Sequence, residues 1–266
     1  MKLTISGAAG RMGRALLESL FDEEDLELGS ALEKKGHPAV GRDAGELIGI
    51  GKWGVSVTDR IKKSVMDGEV IIDFTYPLET LKMVQEAQRK KRPMVIGTTG
   101  FLRDQEKKIK EAAKKIPIVW SPNMSVGVNV MLKLLSNAAS ILGEAYDVEI
   151  MEIHHRHKKD APSGTALRMG ETIAVARGST LTRAARFSRH GKFGPRKTGE
   201  IGFQSQRAGD VVGEHTVVFA GPGERIEMTH RAQSRNNFSR GAILAAKWVV
   251  DQPPGLYDMM DVLSLK

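Results

Sequence analysis

Along its first 120 residues the chain alternates two hydrophobic patterns. Short apolar runs predict strands at residues 2–6, 26–32, 69–74, 93–96 and 118–120. Between them, apolar positions recurring every three or four residues predict helices at 11–20, 78–90 and 104–115. In the first helix Met12, Leu16, Leu17 and Leu20 share one face. The short run at 69–74 (EVIIDF), apolar through Val70, Ile71 and Ile72, suits a buried parallel strand. Strand and helix in alternation predict βαβ units around a parallel sheet.

The pattern changes past residue 125. A helix is predicted over 129–142, capped by Ser125 or Asn129, and a strand over 147–155. Another helix starts at Ser163 and gathers Ala166, Met169, Gly170, Ile173 and Ala174 on one face. Three alternating runs, 201–207, 214–220 and 225–232, follow one another without helices between them. They predict an open mixed or antiparallel sheet, after which a last helix spans 238–250. The fold class is therefore α/β, and 266 residues divide better into two modest domains than one.

Composition narrows the class. Apolar residues at 41% and charged residues at 27% are ordinary for a soluble globular chain. No apolar run is expected to reach the length of a membrane span, and the glycine-broken N-terminal run is not a secretory signal. With no cysteine, disulfides, thiolate metal sites and cysteine nucleophiles are excluded. These features fit a cytoplasmic protein with no membrane partner. The formal charge of +8 suits anionic small molecules as well as nucleic acid. The densest basic stretch, 183–197, is interleaved with Ser, Gly and Pro, and aromatics are only 5% of the chain, so it reads as a solvated loop with no nucleic-acid partner.

Candidate chemistry begins at the first turn. Gly7, Ala8, Ala9, Gly10, Arg11, Met12 and Gly13 follow a strand and open a helix, the context in which a glycine turn cradles a dinucleotide pyrophosphate. The spacing is GxxGxxG rather than GxGxxG, and a bare tight turn would have the same glycines. Glu33 stands at the end of the second strand, where an acid meets ribose hydroxyls; Lys34 and Lys35 follow and suit an extra phosphate, so both NADH and NADPH remain open. Gly97, Thr98, Thr99 and Gly100 form a turn at the carboxyl end of a predicted parallel strand, and Ser121, Pro122 and Asn123 form another one strand later.

The segment 152–167 (EIHHRHKKDAPSGTAL) is the richest in chemistry. It starts on a strand, where His154 and His155 face opposite sides, crosses a polar loop and enters a helix at Ser163. Ser163 suits an N-cap, and the N–H groups of Gly164 and Thr165 make the helix start an anion site fit for a carboxylate. Lys158 lies just upstream and can add charge to the same ligand. Histidine beside lysine and a carboxylate cradle suits proton transfer near neutral pH. A zinc site would want alternate positions and a distant third ligand, which the sequence lacks, so no metal is expected.

The run HHRHKKDAPSGTA from His154 resembles the signature of the dihydrodipicolinate reductase family. The resemblance extends through GAAGRMG at 7–13, DFT at 73–75, GTTGF at 97–101, SVGVN at 125–129, RAGDVVGEHT at 207–216 and GERIEMTH at 223–230. It implies a Rossmann-type parallel-sheet nucleotide-binding domain, residues 1–125 and 236–266. An α+β domain with an open mixed sheet, residues 126–235, would be inserted for substrate binding and assembly as a homotetramer. Motion between the two would bring nicotinamide and substrate together. NADPH or NADH would reduce a cyclic imine dicarboxylate on the diaminopimelate route to lysine. The resemblance makes His154 the proton donor. His155, Lys158, Ser163, Gly164 and Thr165 would hold the substrate, with Lys158 also a candidate in catalysis. Besides the turns above, it places Phe74 and Met124 at the cofactor.

Three residues depart from the family pattern. Tyr76 stands where some members have Arg, Met124 where Phe is common, and Lys34 where some have Arg. Lys34 would meet a ribose phosphate as a point charge rather than a fork, and dual cofactor use is expected. The rival readings are another Rossmann dehydrogenase of amino-acid metabolism, which the His/Lys run argues against, and a dinucleotide-binding sensor, which would need no proton donor. Nucleic-acid binding by charge, the third rival, would weaken steeply with salt.

Overall fold

The computed structural model describes residues 1–234 and 236–266. It divides into two compact units, Met1–Val126 with Arg235–Lys266, and Gly127–Ser234. The expected domain edge at residue 235 lies outside the described residues.

The first unit starts with β1 (Lys2–Ser6), α1 (Arg11–Phe21), β2 (Glu27–Leu32), α2 (Ala44–Ile48), β3 (Val57–Thr58) and α3 (Ile61–Asp67). It continues with β4 (Val70–Asp73), α4 (Pro77–Lys90), β5 (Met94–Ile96), α5 (Arg103–Ala113) and β6 (Pro117–Trp120). The second unit holds α6 (Val126–Leu142, all but its first residue), β7 (Asp147–His154), α7 (Gly164–Ala176), α8 (Leu181–Ala184), β8 (Ala185–Arg186), β9 (Ile201–Arg207), β10 (Gly213–Gly221) and β11 (Glu224–Ala232). The chain returns to the first unit through α9 (Asn236–Val249), β12 (Gly255–Tyr257) and α10 (Met259–Val262).

The first sheet is wholly parallel, in the order β12-β6-β5-β4-β1-β2-β3. All four residues of β4 are buried, as an apolar central strand covered on both faces requires. On α1 Ala15, Leu16, Leu17 and Leu20 face the core, but Met12 does not join them and is only half-buried. The short α2, β3 and α3, and the edge strand β12, carry too few residues for a periodic signal.

The second sheet is mixed, in the order β11-β10-β7-β9-β8. β7 pairs parallel with β9 and antiparallel with β10. One face of β7 buries Val148, Ile150, Glu152 and His154 in turn. The first two belong to a core shared with Val217 and Phe219 of β10, Met131 and Leu135 of α6, and Met169 and Ile173 of α7. The same face becomes polar at the end of the strand, where the chemistry lies.

Two expectations are corrected. The predicted helix at 129–142 starts at Val126, so Asn129 lies buried inside it rather than capping it. Gly127 and the β-branched valines argue locally against a helix, but burial of Val128, Met131, Leu132, Leu135 and Ala139 at helical spacing overrides that preference. Its extension, Val126–Ala145, is 20 residues with a hydropathy of 1.4, long and apolar enough to cross a membrane by those criteria alone. Lys133 hides this length from a reading that looks for unbroken apolar runs, and the helix's buried stripe belongs to the core of its own unit.

Candidate active site

A cavity of about 990 Å³ opens in the first unit at the carboxyl ends of its strands. Ser6, Gly7, Gly10, Arg11 and Met12 line it from the first turn, Glu33, Lys34, Lys35 and His37 from beyond β2, and Phe74, Gly97, Thr98 and Thr99 from beyond β4 and β5. Met12 thus turns toward the cavity instead of the core. Ala8 is fully buried, and Ala9, Gly13, Ser121, Pro122, Asn123 and Met124 do not line the cavity. Met124 is 1% exposed, and its carbonyl packs against Gly241 of α9 with no room for a side chain there.

The glycines of the turn have distinct steric roles. Gly7 has φ +80°, and a Cβ there would stand 2.8 Å from the Phe74 carbonyl oxygen. A Cβ on Gly13 would collide with the Gly7 carbonyl and sit 2.6 Å from the Ala8 Cα. Gly10 is the N-cap of α1 and offers no side chain to the first-turn N–H groups, which suits a pyrophosphate. Glu33 clasps this turn: its Oε1 accepts from the Ala9 N–H at 2.9 Å and its Oε2 from the Lys34 N–H at 3.2 Å.

Beneath the cavity lies Asp73, fully buried. The hydroxyls of Thr75, Thr80 and Thr98 crowd its Oδ1 at 2.9, 2.6 and 2.9 Å. Burial pushes its carboxyl up, against the hydrogen bonds from Thr80, Ser6, Thr75 and Thr98. Asp73 ties Thr98 of the cavity wall to the end of β4. Its position in the DFT motif was visible in the sequence; its three hydroxyl partners, spread over 23 residues, were not.

The second cluster lies in the second unit, at the end of β7. Pairing sets Glu152 opposite His215 of β10 on one side and Ser205 of β9 on the other, and His154 opposite Arg207. His154 Nδ1 is 2.6 Å from Glu152 Oε2. Arg207 grips the same carboxylate with two bonds, both 2.9 Å. Glu152 Oε1 also accepts from the Ser163 N–H at 3.2 Å. Ser163 is the N-cap of α7 as expected: its Oγ accepts from the Ala166 N–H at 3.1 Å and lies 2.8 Å from His215 Nε2.

This geometry sets the charges. Burial disfavours the Glu152 carboxylate, but hydrogen bonds from Arg207, His154 and Ser205 outweigh it and hold the group down at about 2. Burial lowers His154, the bond and charge of Glu152 raise it, and Lys158 and Arg207 lower it again; the net is downward. His215 is pushed down to about 3, chiefly by burial and then by the neighbouring His154, and stays neutral. The His154 and His215 rings meet edge-on, 5.1 Å apart.

His155 follows the strand into the loop and is half-buried, with its ring 6.3 Å from that of His157. Lys158 Nζ pairs with Asp160 Oδ1 at 2.9 Å; that aspartate is 62% exposed, so solvent already weakens the pair. A Cβ on Gly164 would meet nothing within 4 Å, leaving the start of α7 open to a ligand. Among the described residues no group of three His, Asp or Glu is placed to hold a metal ion. Sequence reasoning passed over Glu152, Arg207 and His215 as site residues. The only signal was RAGDVVGEHT, whose first and ninth residues are Arg207 and His215.

Residues 1–124 match the family described as dihydrodipicolinate reductase, N-terminus, and residues 127–263 its C-terminus. The chain is 50% identical to the 4-hydroxy-tetrahydrodipicolinate reductase of Syntrophus aciditrophicus, over 100% of this chain and 99% of that one. It is 51% identical to the enzyme of the same name from Geotalea uraniireducens, over 100% of both. Among solved structures it is similar in fold to a dipicolinate-bound dihydrodipicolinate reductase from a Paenisporosarcina species. The TM-score there is 0.79, with 24% identity and 98% of each chain covered.

Proposed function

Because the chain belongs to the dihydrodipicolinate reductase family, we propose that its first unit holds the nicotinamide cofactor and its second the dicarboxylate and the proton donor. The enzyme is an NAD(P)H-dependent oxidoreductase. It reduces 4-hydroxy-tetrahydrodipicolinate or its dehydrated form, dihydrodipicolinate, to tetrahydrodipicolinate on the diaminopimelate route to lysine. The observation that carries the division of labour is the buried Glu152–His154 pair beside the open start of α7.

The first unit fits a dinucleotide: the glycine cradle excludes side chains, and the first turn of α1 is left uncapped by any side chain. Gly7, Gly10, Arg11 and Met12 would hold the pyrophosphate, and Lys34 and Lys35 a ribose phosphate. Glu33, already bonded to the Ala9 N–H, keeps the turn closed and can face the ribose with its remaining lone pairs. Thr98 and Phe74 would line the nicotinamide end. When bound, the cofactor supplies the hydride.

In the second unit one carboxylate of the substrate would accept from the start of α7, at Ser163, Gly164 and Thr165. Lys158 would turn from the solvated Asp160 to the other carboxylate, with His155 alongside. Hydride addition to the conjugated ring leaves an enamine, and His154 as imidazolium delivers a proton to the adjacent carbon. A dianionic ligand beside His154 raises its proton affinity and so charges the donor as substrate binds. We place the reaction in the cytoplasm, in keeping with a diffusible cofactor and a cysteine-free chain.

We also infer a homotetramer built on the second sheet. Support comes from the face of that sheet turned away from its core, where Met151, Ile153 and Val218 are only partly covered within one chain, and from the nine-residue edge strand β11.

The test is loss of nicotinamide absorbance with substrate generated from pyruvate and aspartate semialdehyde. Wild type should oxidise NADPH and NADH, and His154→Ala should lose about 10²-fold or more in kcat. Lys34→Ala should weaken NADPH and spare NADH. Equal rates for His154→Ala and wild type would remove His154 from the proton step, and equal losses with both cofactors would remove the phosphate role of Lys34.

A further inference from the structure

Glu152 has no task in the reaction proposed above, yet its buried carboxylate takes bonds from His154, Arg207 and Ser163. Its side chain is 1% exposed. It lies on the same face as His154, two residues earlier on β7, and receives His154 Nδ1 at 2.6 Å, both terminal nitrogens of Arg207 at 2.9 Å and the Ser163 N–H at 3.2 Å. Burying a carboxylate this far is costly, and a core needing only volume would take an apolar residue there.

We propose that Glu152 is a positioning residue for the reduction: it fixes His154 with Nδ1 protonated, so that Nε2 carries the transferred proton, and holds the start of α7 beside it. This rests on the reading of His154 as proton donor given above. An ionised carboxylate only accepts hydrogen bonds, so the nitrogen facing it must bear the hydrogen. Arg207 keeps the carboxylate ionised and rotationally locked by its two-pronged grip. The reactive Nε2 is turned toward Gly213 of β10, where a Cβ would stand 2.8 Å from it; the missing side chain leaves that nitrogen room. Through the Ser163 N–H, the same carboxylate anchors the N-cap of α7 and so ties proton donor and carboxylate cradle to one point.

The charged and titratable groups facing His154 are Glu152 on its own strand, Arg207 on β9, His215 on β10 and Lys158 in the loop that follows. Of these only Glu152 favours the imidazolium. Removing its charge while keeping its shape leaves burial and the charges of Lys158 and Arg207, which disfavour it. The fall of kcat with rising pH, which marks loss of the imidazolium, should then begin at lower pH.

The experiment uses full-length protein and two readouts. In Glu152→Gln, kcat should fall about 10²-fold with its high-pH decline moved to lower pH, and Glu152→Asp should recover part of both. In wild type, nitrogen-15 NMR of the His154 ring should show the neutral form protonated at Nδ1, with or without pyridine-2,6-dicarboxylate. A folded Glu152→Gln whose kcat–pH profile overlays wild type would overturn the proposal, since a purely structural residue would change thermal stability and leave that profile alone. A wild-type ring protonated at Nε2 would overturn it too, and that readout stands even where Glu152→Gln fails to fold. If wild type turns over no substrate, the reductase reading falls instead, while the NMR result still decides the tautomer.

Discussion

Single residues at the end of β7 are constrained by their neighbours across the sheet as much as by the chain on either side. Gly213 shows how tightly. It sits in β10 outside the positive-φ glycines, so alanine meets no backbone strain there. The new methyl would instead press on His154 Nε2 from 2.8 Å and must displace the ring. Gly213→Ala should therefore fold, bind NADPH as wild type does, and lose about 10²-fold in kcat, because an ångström of misplacement at a reacting group costs that much. Steady-state kinetics beside a melting curve checks it, and a variant with wild-type kcat would show that the ring is not confined on that side.

The same scale explains what could be read in advance. Ser163 was legible as an N-cap because capping depends on the side chain and the three residues that follow it. His154 was legible through its motif. Glu152 was not, although it is only two residues away: its meaning depends on Arg207, 55 residues on, and no local pattern reports that pairing. Glu33 was placed correctly at the end of β2, but its bond to Ala9 depends on how the glycine turn folds back.

At the scale of elements, periodicity found those with a long one-sided apolar stripe and missed those without. The strand at 201–207 coincides with β9, and α7 buries the five residues that its spacing put on one face. α6 was started three residues late because Gly127 and its flanking valines weaken local helix preference, a deficit that core packing repays. β12 has three residues, and parallel pairing with β6 alone makes it a strand. The turn before α1 lends itself to a test at this scale. In Gly13→Ala the methyl would collide with the Gly7 carbonyl, so α1 and the turn must part. The expected cost is about 1–3 kcal/mol of stability, as for overpacking elsewhere, together with loss of NADPH binding. Chemical denaturation and a fluorescence titration measure the two, and unchanged NADPH affinity would show that the close approach does not shape the cofactor site.

At the scale of the whole molecule, the parallel sheet and the mixed sheet have different needs. The parallel sheet is covered on both faces within its own unit. The mixed sheet covers one face with α6 and α7 and leaves Met151, Ile153 and Val218 partly exposed on the other. A second copy covering that face would remove apolar surface from water, and a symmetric pairing would use the same patch twice. Val218→Glu, a further charge on that face beside Glu149 and Glu227, should shift sedimentation from the proposed tetramer to smaller species without changing helix content. Wild type sedimenting as a monomer, or Val218→Glu remaining a tetramer, would count against this face as the interface.

Chain order by itself determined the alternation that makes the first sheet parallel, the glycine turn that opens α1, the His/Lys loop and the cap of α7. Each of these depends on residues within a few positions of one another, where backbone geometry and spacing suffice. Tertiary structure alone decided that β12 completes the first sheet, that Asp73 gathers three threonines, and that Arg207, His215 and Ser163 converge on Glu152 and His154. Those groupings join residues tens of positions apart through strand register, and register is settled only when whole faces of a sheet find their core.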